Sequence, residues 1–425
     1  MDAEMASWKS TCIYIDAVPP PGANIVDGMW IFKVKRPPGS PHVFKARYVA
    51  RGFSHRQGVD FFQTFFPTPK MTTLRVWLRR PPGFTESFPA GTQWSLRWPV
   101  YGLRQAPRKW HDTLRTKLVA LGFAPSTADP SMFLCTDTSL PPFYVLVYVD
   151  DLVFSTADTE ALPIVKSWLQ KRHTCTDLDE LRSYLGLQIT RDRARRTITP
   201  TQSHMVHLVL QHFGFRYSLP QSIPLPTGHS LSAPPLDESV EPSGPYPELV
   251  GCLMYLMTCT RPNLAYPLSI LARYVAPGRH RPEHWEAAKR VLRYLCITSG
   301  MGLVLGGQGP VVLTGHVDAS WELRWLTYLL TDLGERLSSS PVLYVDNKAM
   351  IALCQEHRLE HRMKHIALRY FLARELQQHG QLRLAYVATW ANTADIFTKA
   401  LQPGDHQRFC TVLGLVPILP HLLTA

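Results

Sequence analysis

Two adjacent aspartates, Asp150 and Asp151, divide an apolar stretch of this 425-residue sequence. The flanking runs, residues 143–149 and 152–155, have the length and composition of buried strands, so they predict a hairpin with both carboxylates at its turn. Two neighbouring negative charges are unfavourable unless a cation neutralises them, and Mg²⁺ prefers such oxygen ligands. A solvated turn without a metal is the alternative that the pair alone leaves open.

Hydrophobic periodicity in the rest of the chain predicts a mixture of strands and helices. Strands are predicted at 30–35, 43–49 and 341–346, and helices at 110–121, 246–259, 284–296, 322–333 and 364–379. Residues 1–29 are rich in Pro and weakly patterned, which predicts an irregular lead-in. Residues 220–247 contain many Pro, Ser and Gly residues, which is typical of a linker.

The charge of the chain favours a polyanionic partner. Lys and Arg number 45 against 33 Asp and Glu, which gives a formal net charge of +12 and a pI near 9.4. Nucleic acid is the first such partner and an anionic membrane surface the second, while a basic protein with neither is the third interpretation.

The cysteines and the apolar runs exclude other classes of protein. The eight cysteines form no CxxC pair, which argues against zinc knuckles and suits reduced thiols in an intracellular protein. The sequence shows neither a signal peptide nor a run long enough to span a bilayer, so no membrane association is predicted.

Several longer motifs surround the aspartate pair. WIFKVK at 30–35 and FKARYVARGF at 44–53 are followed by GVDF at 58–61, TFFP at 64–67, MTTLR at 71–75, YGLRQAPRKW at 101–110 and YLGL at 184–187. In this order the motifs resemble the reverse transcriptase of Ty1/copia-type retrotransposons. In that family the first two motifs form the fingers hairpin, and the Asp-Asp hairpin is the active site of the palm.

The resemblance implies a right-hand polymerase with fingers, palm and reduced thumb. Asp150 and Asp151 would be catalytic residues and ligands of Mg²⁺, with Mn²⁺ as the alternative metal. Lys45 and Arg47 would bind the incoming nucleotide by facing its triphosphate, and Gln105 would position the nucleotide or the templating base. Without the resemblance, Lys45 and Arg47 are equally well explained as the solvated face of a strand. Gln105 is then compatible with a turn residue.

The second half of the chain carries a further ordered set of motifs. They are TRPNL at 260–264, HWEAAKRVLRYL at 284–295, VDASW at 317–321, YVDN at 344–347 and ADIFTK at 394–399. The first two resemble the connection of the same family, and the last three resemble its RNase H-like α/β domain. That resemblance makes Asp318, Asp346 and Asp395 catalytic residues and metal ligands, because this fold converges acidic side chains on two Mg²⁺ ions. Each Asp alone is also compatible with a turn or cap residue.

Two segments that the family carries are missing from this sequence. Family members place a strand with the first metal-binding Asp between MTTLR and a PPGF motif, but here only residues 76–80 separate the two motifs. Such a segment spans at most about 17 Å, and no Asp occurs between Phe61 and His111. The palm is therefore predicted to lack one of three carboxylates. Near residue 321 the segment with the catalytic Glu is also absent, and Glu322 matches a different Glu of the family.

The predicted fold class is α+β in the polymerase part and α/β in the RNase H-like part. The divisions are an irregular lead-in (1–29), reverse transcriptase fingers and palm (30–219), a linker (220–247), a connection (248–309) and an RNase H-like domain (310–425).

These features predict a catalytically defective remnant of a copia-type reverse transcriptase and RNase H. The alternatives are an active enzyme completed by another subunit and a non-enzymatic nucleic-acid-binding protein. The resemblance implies an RNA template, a DNA primer, RNA–DNA hybrid and deoxynucleotides as partners. The sequence does not indicate an oligomeric state.

Overall fold

The computed structural model describes the residues 1–35, 41–54, 76–82, 91–98, 100–104, 106–137, 141–171, 175–229, 231, 244–316, 320–355 and 367–418. The chain forms two compact units, Met1–Thr159 and Glu160–Ala425. The boundary at 159 lies inside the predicted domain of residues 30–219, so the aspartate pair and the YLGL motif belong to different units. The candidate residues Gln105 and Asp318 and the MTTLR motif lie outside the described residues.

The first unit combines short strands with a helix at its N-terminus and a second helix before the predicted hairpin. Its elements are α1 Asp2–Ser10, β1 Tyr14–Ala17, β2 Ile25–Val26, β3 Gly28–Lys35, β4 Val43–Ala50, β5 Trp77–Leu78, β6 Gln93–Leu96, α2 Ala106–Ala120, β7 Phe123–Pro125, β8 Met132–Cys135, β9 Phe143–Tyr148 and β10 Asp151–Thr156.

The strands of this unit pair in the orders β1-β6-β5-β2 and β10-β9-β8-β7, and β3 pairs with β4 as a two-stranded ribbon. The β3–β4 ribbon confirms the strands predicted at 30–35 and 43–49. The antiparallel β9–β10 pair confirms the hairpin around the two aspartates. Helix α2 confirms the helix predicted at 110–121 and extends it toward the N-terminus.

The prediction of an irregular lead-in at residues 1–29 is wrong. Helix α1 and strands β1 and β2 lie there, and both Met5 and Trp8 are buried. The ring of Trp8 lies 5.6 Å from the ring of Trp94 and 6.0 Å from that of Tyr48, so α1 packs against β6 and β4. Sequence patterning misses this packing because the apolar partners of the helix are far away along the chain.

The second unit begins with a helix and small strands, continues as a helical cluster and ends with alternating strands and helices. Its elements are α3 Ala161–Gln170, β11 Ser183–Tyr184, β12 Leu187–Asp192, β13 Thr197–Thr201, α4 Ser203–His212, α5 Tyr246–Cys259, α6 Ala265–Leu271, α7 Pro282–Thr298, β14 Met301–Leu303, β15 Leu305–Gly306, β16 Thr314–His316, α8 Ser320–Asp332, β17 Val342–Val345, α9 Lys348–Gln355, α10 Ala367–Gln378, β18 Arg383–Tyr386, α11 Asp395–Thr398, α12 Pro403–Val412 and β19 Leu415–Pro417. Within the described part of the chain, each helix is too short or too polar to cross a membrane.

The predicted elements of this unit are confirmed where they are described. Helix α5 begins and ends at the predicted residues, and α7, α8 and β17 lie at the predicted positions. The helix predicted at 364–379 is described from Ala367 onward as α10.

The strands of the second unit form two sheets. One has the order β11-β12-β13-β14-β19 with β15 added to β13, and the other is the parallel sheet β16-β17-β18. The predicted RNase H-like domain (310–425) therefore contributes to both sheets, because β19 pairs with β14. Its C-terminal segment has a separate apolar core around Ile396 and Phe409, while Leu343 and Val345 of β17 belong to another.

The predicted linker at 220–247 is packed in its described part. Ile223 and Leu225 are buried, and Leu225 joins the core of the helical cluster with Leu249 and Leu253. Helix α5 also begins before the predicted end of the linker, at Tyr246. The Pro-rich composition gives the chain an irregular path here, but the apolar residues between the prolines still fill the core.

A buried arginine links the segment between α5 and α6 to the end of α7. Arg261 is 1% exposed, and its guanidinium donates to the carbonyl oxygen of Thr298 at 2.9 Å and to the Thr298 hydroxyl at 2.7 Å. Its Nε donates to Asn263, whose amide donates to the hydroxyl of Tyr294 at 2.6 Å. Burial lowers the pKa of Arg261. Hydrogen bonds to neutral groups thus compensate the removal of this charge from water.

Candidate active site

The β9–β10 hairpin places the two aspartates at its turn. Tyr148 pairs with Asp151, so Val149 and Asp150 are the two residues of the turn. Val149 has a φ of +52°, a left-handed conformation that is costly for a β-branched residue. The indole nitrogen of Trp110 on α2 donates to the carbonyl oxygen of Val149 at 2.5 Å. This contact holds the strained turn against the helix.

Tyr101 connects the aspartate turn to the β3–β4 ribbon. Its hydroxyl donates to Oδ2 of Asp150 at 2.9 Å, and the guanidinium of Arg47 lies 4.6 Å from its ring centroid. Burial, followed by the hydrogen bond to Asp150, raises the pKa of Tyr101. The phenol therefore stays protonated and keeps donating to the carboxylate. The structure thus brings two predicted site residues to one tyrosine side chain, with Arg47 at its ring and Asp150 at its hydroxyl.

The turn that carries Tyr101 is locked to the end of β4. The backbone nitrogen of Ala50 donates to the carbonyl oxygen of Tyr101 at 2.9 Å. Gly102 has a φ of +91°, and a Cβ at this position would lie 1.9 Å from the carbonyl oxygen of Ala50. A residue other than glycine cannot occupy position 102 without moving one of the two segments.

Replacing Gly102 with Ala should lower the free energy of unfolding by about 2–4 kcal/mol, because backbone strain and a backbone clash act together. Gly22→Ala is the matched control, since Gly22 has a φ of +80° but no atom within 4 Å of an added Cβ. The free energy of unfolding of the control should fall by only about 1–2 kcal/mol, the strain of a left-handed backbone at a non-glycine residue. Urea denaturation followed by circular dichroism measures both variants, and equal losses would contradict the close packing of the turn.

Lys45 and Arg47 lie on one face of the β3–β4 ribbon. Lys33 pairs directly with Lys45, and Ile31 pairs with Arg47. Because residues two apart on a strand share a face, Lys33, Lys45 and Arg47 form one cationic face. Like charges directly opposite each other are unfavourable in a sheet. An anion bound on this face would relieve that repulsion.

Strand β10 lies at the end of its sheet as far as the described strands show. Among the strands that the structure describes, β10 pairs with β9 alone. Its apolar residues Leu152, Val153 and Phe154 are only half-buried, whereas Val145 and Val147 of β9 are buried.

The acidic candidates of the second unit lie in two different places. Asp346 follows β17, at the edge where the parallel strands β16, β17 and β18 end. Asp395 begins α11, where its carboxylate pairs with Nζ of Lys399 at 2.7 Å. In the described ranges, no three His, Cys, Asp or Glu side chains are grouped as metal ligands.

Sequence reasoning missed the roles of Tyr101 and Trp110. Both residues lie in the motif YGLRQAPRKW, but nothing local indicates that one side chain contacts Asp150 and the other contacts Val149. Their position in an ordered motif close to the aspartates was the only available signal. Asp150 and Asp151 lie at the turn of the β9–β10 hairpin, and Lys45 and Arg47 lie on the β3–β4 ribbon, with Tyr101 in contact with both Arg47 and Asp150.

The chain is similar to known proteins over most of its length. The family described as reverse transcriptase (RNA-dependent DNA polymerase) matches residues 71–227. The retrovirus-related Pol polyprotein from transposon RE2 of Arabidopsis thaliana is 31% identical over 95% of the chain and 33% of the polyprotein. The putative transposon Ty5-1 protein of Saccharomyces cerevisiae is 30% identical over 58% of the chain and 78% of that protein.

A solved structure is also similar to this chain. The foamy viral protease-reverse transcriptase in complex with double-stranded DNA covers 90% of this chain and 68% of its own, with 13% identity and a TM-score of 0.42. The chain spans about a third of the length of the RE2 polyprotein.

Proposed function

Because the chain belongs to the reverse transcriptase family of copia-type transposon Pol polyproteins, we propose that it is a nucleic-acid-binding remnant of that enzyme with a defective polymerase site. The observation that carries this proposal is that β10, which begins at Asp151, pairs with β9 alone among the strands that the structure describes. In that family, the other edge of β10 would adjoin the strand that carries the first metal-binding Asp. The remnant keeps the hairpin and the cationic ribbon but not that strand.

The length of the alignments supports an internal loss. The alignment with the RE2 polyprotein runs over 484 residues, which is 59 more than the 425 residues of this chain. At least that many positions of the alignment therefore contain no residue of this chain. A loss between MTTLR and PPGF and another near residue 321 would account for such gaps.

Enzymes of this family use divalent metal ions. Asp150 and Asp151 offer carboxylate oxygens of the kind that Mg²⁺ prefers, and Mn²⁺ accepts the same donors. The donor set fits only in part, because the sequence offers no Asp between Phe61 and His111 to complete it. When bound in a complete site, two such ions stabilise the attacking and leaving oxygens of phosphoryl transfer.

The nucleic-acid partner is supported by charge and geometry. The cationic face of Lys33, Lys45 and Arg47 adjoins the Tyr101–Asp150 contact, and the whole chain carries +12. Both an RNA template with a DNA primer and an RNA–DNA hybrid present phosphates to such a face. Deoxynucleotides would meet Lys45 and Arg47 through their triphosphate, and Gln105 would position them.

We expect the chain to bind RNA–DNA hybrid with an affinity that falls steeply as salt increases. The double variant Lys45→Gln, Arg47→Gln should reduce the slope of log affinity against log salt by about two, since each lost phosphate contact removes about 0.9. Fluorescence anisotropy at several salt concentrations measures this slope. Lys9→Gln, an exposed cation on α1, is the matched control and should leave the slope unchanged. An affinity that does not change with salt contradicts the proposal.

The same proposal of a defective site extends to the RNase H-like part. Asp318, Asp346 and Asp395 would be its acidic residues, within the domain predicted at 310–425. The absent Glu segment and the pairing of Asp395 with Lys399 support a defective second site as well. An active reverse transcriptase completed by another subunit is the other candidate, and that subunit would dock on the side of β10 where no described strand pairs with it.

A further inference from the structure

Two exposed aromatic rings lie at the end of β18 and just beyond it. Tyr386 is the last residue of this strand and is 48% exposed, and Trp390 follows in a short turn and is 72% exposed. β18 is parallel to β17, so both strands end at the same edge, where Asp346 follows β17. Burying large aromatic side chains is strongly favourable, so exposed rings at a candidate active-site edge indicate a contact surface.

Each of these rings is accompanied by a cation. Nζ of Lys348, at the start of α9, lies 4.6 Å from the ring centroid of Tyr386. The guanidinium of Arg408 on α12 lies 5.7 Å from the ring centroid of Trp390. Arg408 also donates to the carbonyl oxygen of Trp390 and to the carboxylate of Asp405. These contacts fix the position of the Trp390 turn, while most of the indole stays accessible.

We infer that Trp390 and Tyr386, with Arg408 and Lys348, form a platform on which unpaired bases of a single-stranded nucleic acid stack. Aromatic rings beside cations are the recurring composition of such platforms, because any base offers a flat face to a ring while the cations meet the backbone. A duplex does not offer base faces along its length, so the platform selects a single strand. This inference rests on the proposed function only in taking nucleic acid as the partner.

Base stacking rather than phosphate contact should dominate at this platform. Asp405 already pairs with Arg408 at 2.9 Å, so the charge beside Trp390 is partly offset. Removal of the indole should therefore weaken binding without changing its salt dependence, unlike the variants of the β3–β4 ribbon.

The test is the anisotropy of a labelled oligothymidylate of about eight nucleotides, within the usual length of a single-strand site. Trp390→Ala in the full chain should weaken its binding roughly 5- to 100-fold, the equivalent of losing one stacked base. Trp390→Phe keeps a ring and should restore most of the affinity. Trp98→Ala, which removes a 53% exposed indole elsewhere, should have no effect. An abasic oligomer of the same length should bind all variants equally.

Two results would overturn the inference. One is oligothymidylate binding that is unchanged in Trp390→Ala, which is the result expected if the rings contact a protein instead. The other is equal binding of the oligothymidylate and the abasic oligomer by the unaltered chain. If RNA–DNA hybrid still binds with steep salt dependence when either of these results is found, the platform is refuted but the proposed function is not. If RNA–DNA hybrid does not bind but oligothymidylate still binds in a way that depends on Trp390, the proposed function is refuted and the platform is supported.

Discussion

Inserting the family's Asp-bearing strand between Arg75 and Val76 should raise Mg²⁺-dependent primer extension on the order of a thousandfold, because one metal-binding carboxylate returns to the polymerase site. The chain without the insertion should extend a primer on RNA no better than its own Asp150→Ala, Asp151→Ala double variant. Denaturing electrophoresis of the extension products measures primer extension by each of the three proteins.

The expected gain has an electrostatic and a structural part. Two carboxylates carry less charge than the divalent ions they would hold, so a third ligand strengthens binding and positioning of those ions. The inserted strand would also pair with β10 on the side where no described strand pairs with it, and it would cover the half-buried Leu152, Val153 and Phe154. Covering an open edge and its apolar face stabilises the hairpin that carries the aspartates.

A matched insertion separates these two parts. The same strand with Asn in place of its Asp should repair the sheet but leave primer extension at the level of the double variant. Extension by the unaltered chain clearly above that level would refute the proposal of a defective polymerase site. It would favour instead a residue of this chain, or another subunit, that supplies the missing ligand.

Replacing Arg261 with Ala should destabilise the second unit by about 3–5 kcal/mol, since a buried hydrogen-bonded cation leaves unsatisfied partners behind. The substitution removes the donors to the carbonyl oxygen and hydroxyl of Thr298 and empties a site that is 1% exposed. Urea denaturation followed by circular dichroism measures the loss.

The variants around Arg261 test whether geometry or charge matters. Arg261→Lys keeps the charge but not the planar fork, so it should recover little of the lost stability. Arg273→Ala is the control, because Arg273 is exposed and its Nε donates to the carbonyl oxygen of Ser269, four residues earlier, at 3.2 Å. A change below about 1 kcal/mol in Arg261→Ala would contradict the structural role, because it falls within the range of ordinary surface substitutions.

The sequence alone determined those features that depend on neighbours along the chain. The apolar runs around Asp150 and Asp151 became β9 and β10 with the turn at the predicted place, and α5 has the predicted bounds. The alternation in residues 30–35 and 43–49 became β3 and β4, with Lys45 and Arg47 on a common face. Periodicity and turn chemistry are local properties, so they can be read without knowing the fold.

The ordered motifs determined the family, but only the tertiary structure decided how the site is assembled. Tyr101 contacts both Arg47 and Asp150 because Gly102 allows its turn to approach Ala50 closely. The tertiary structure also decided that residues 1–29 form a helix and strands, because Trp8 packs against distant parts of the chain. The physical reason is that burial and hydrogen bonding depend on partners distant in sequence, whose position is fixed only when the chain has folded.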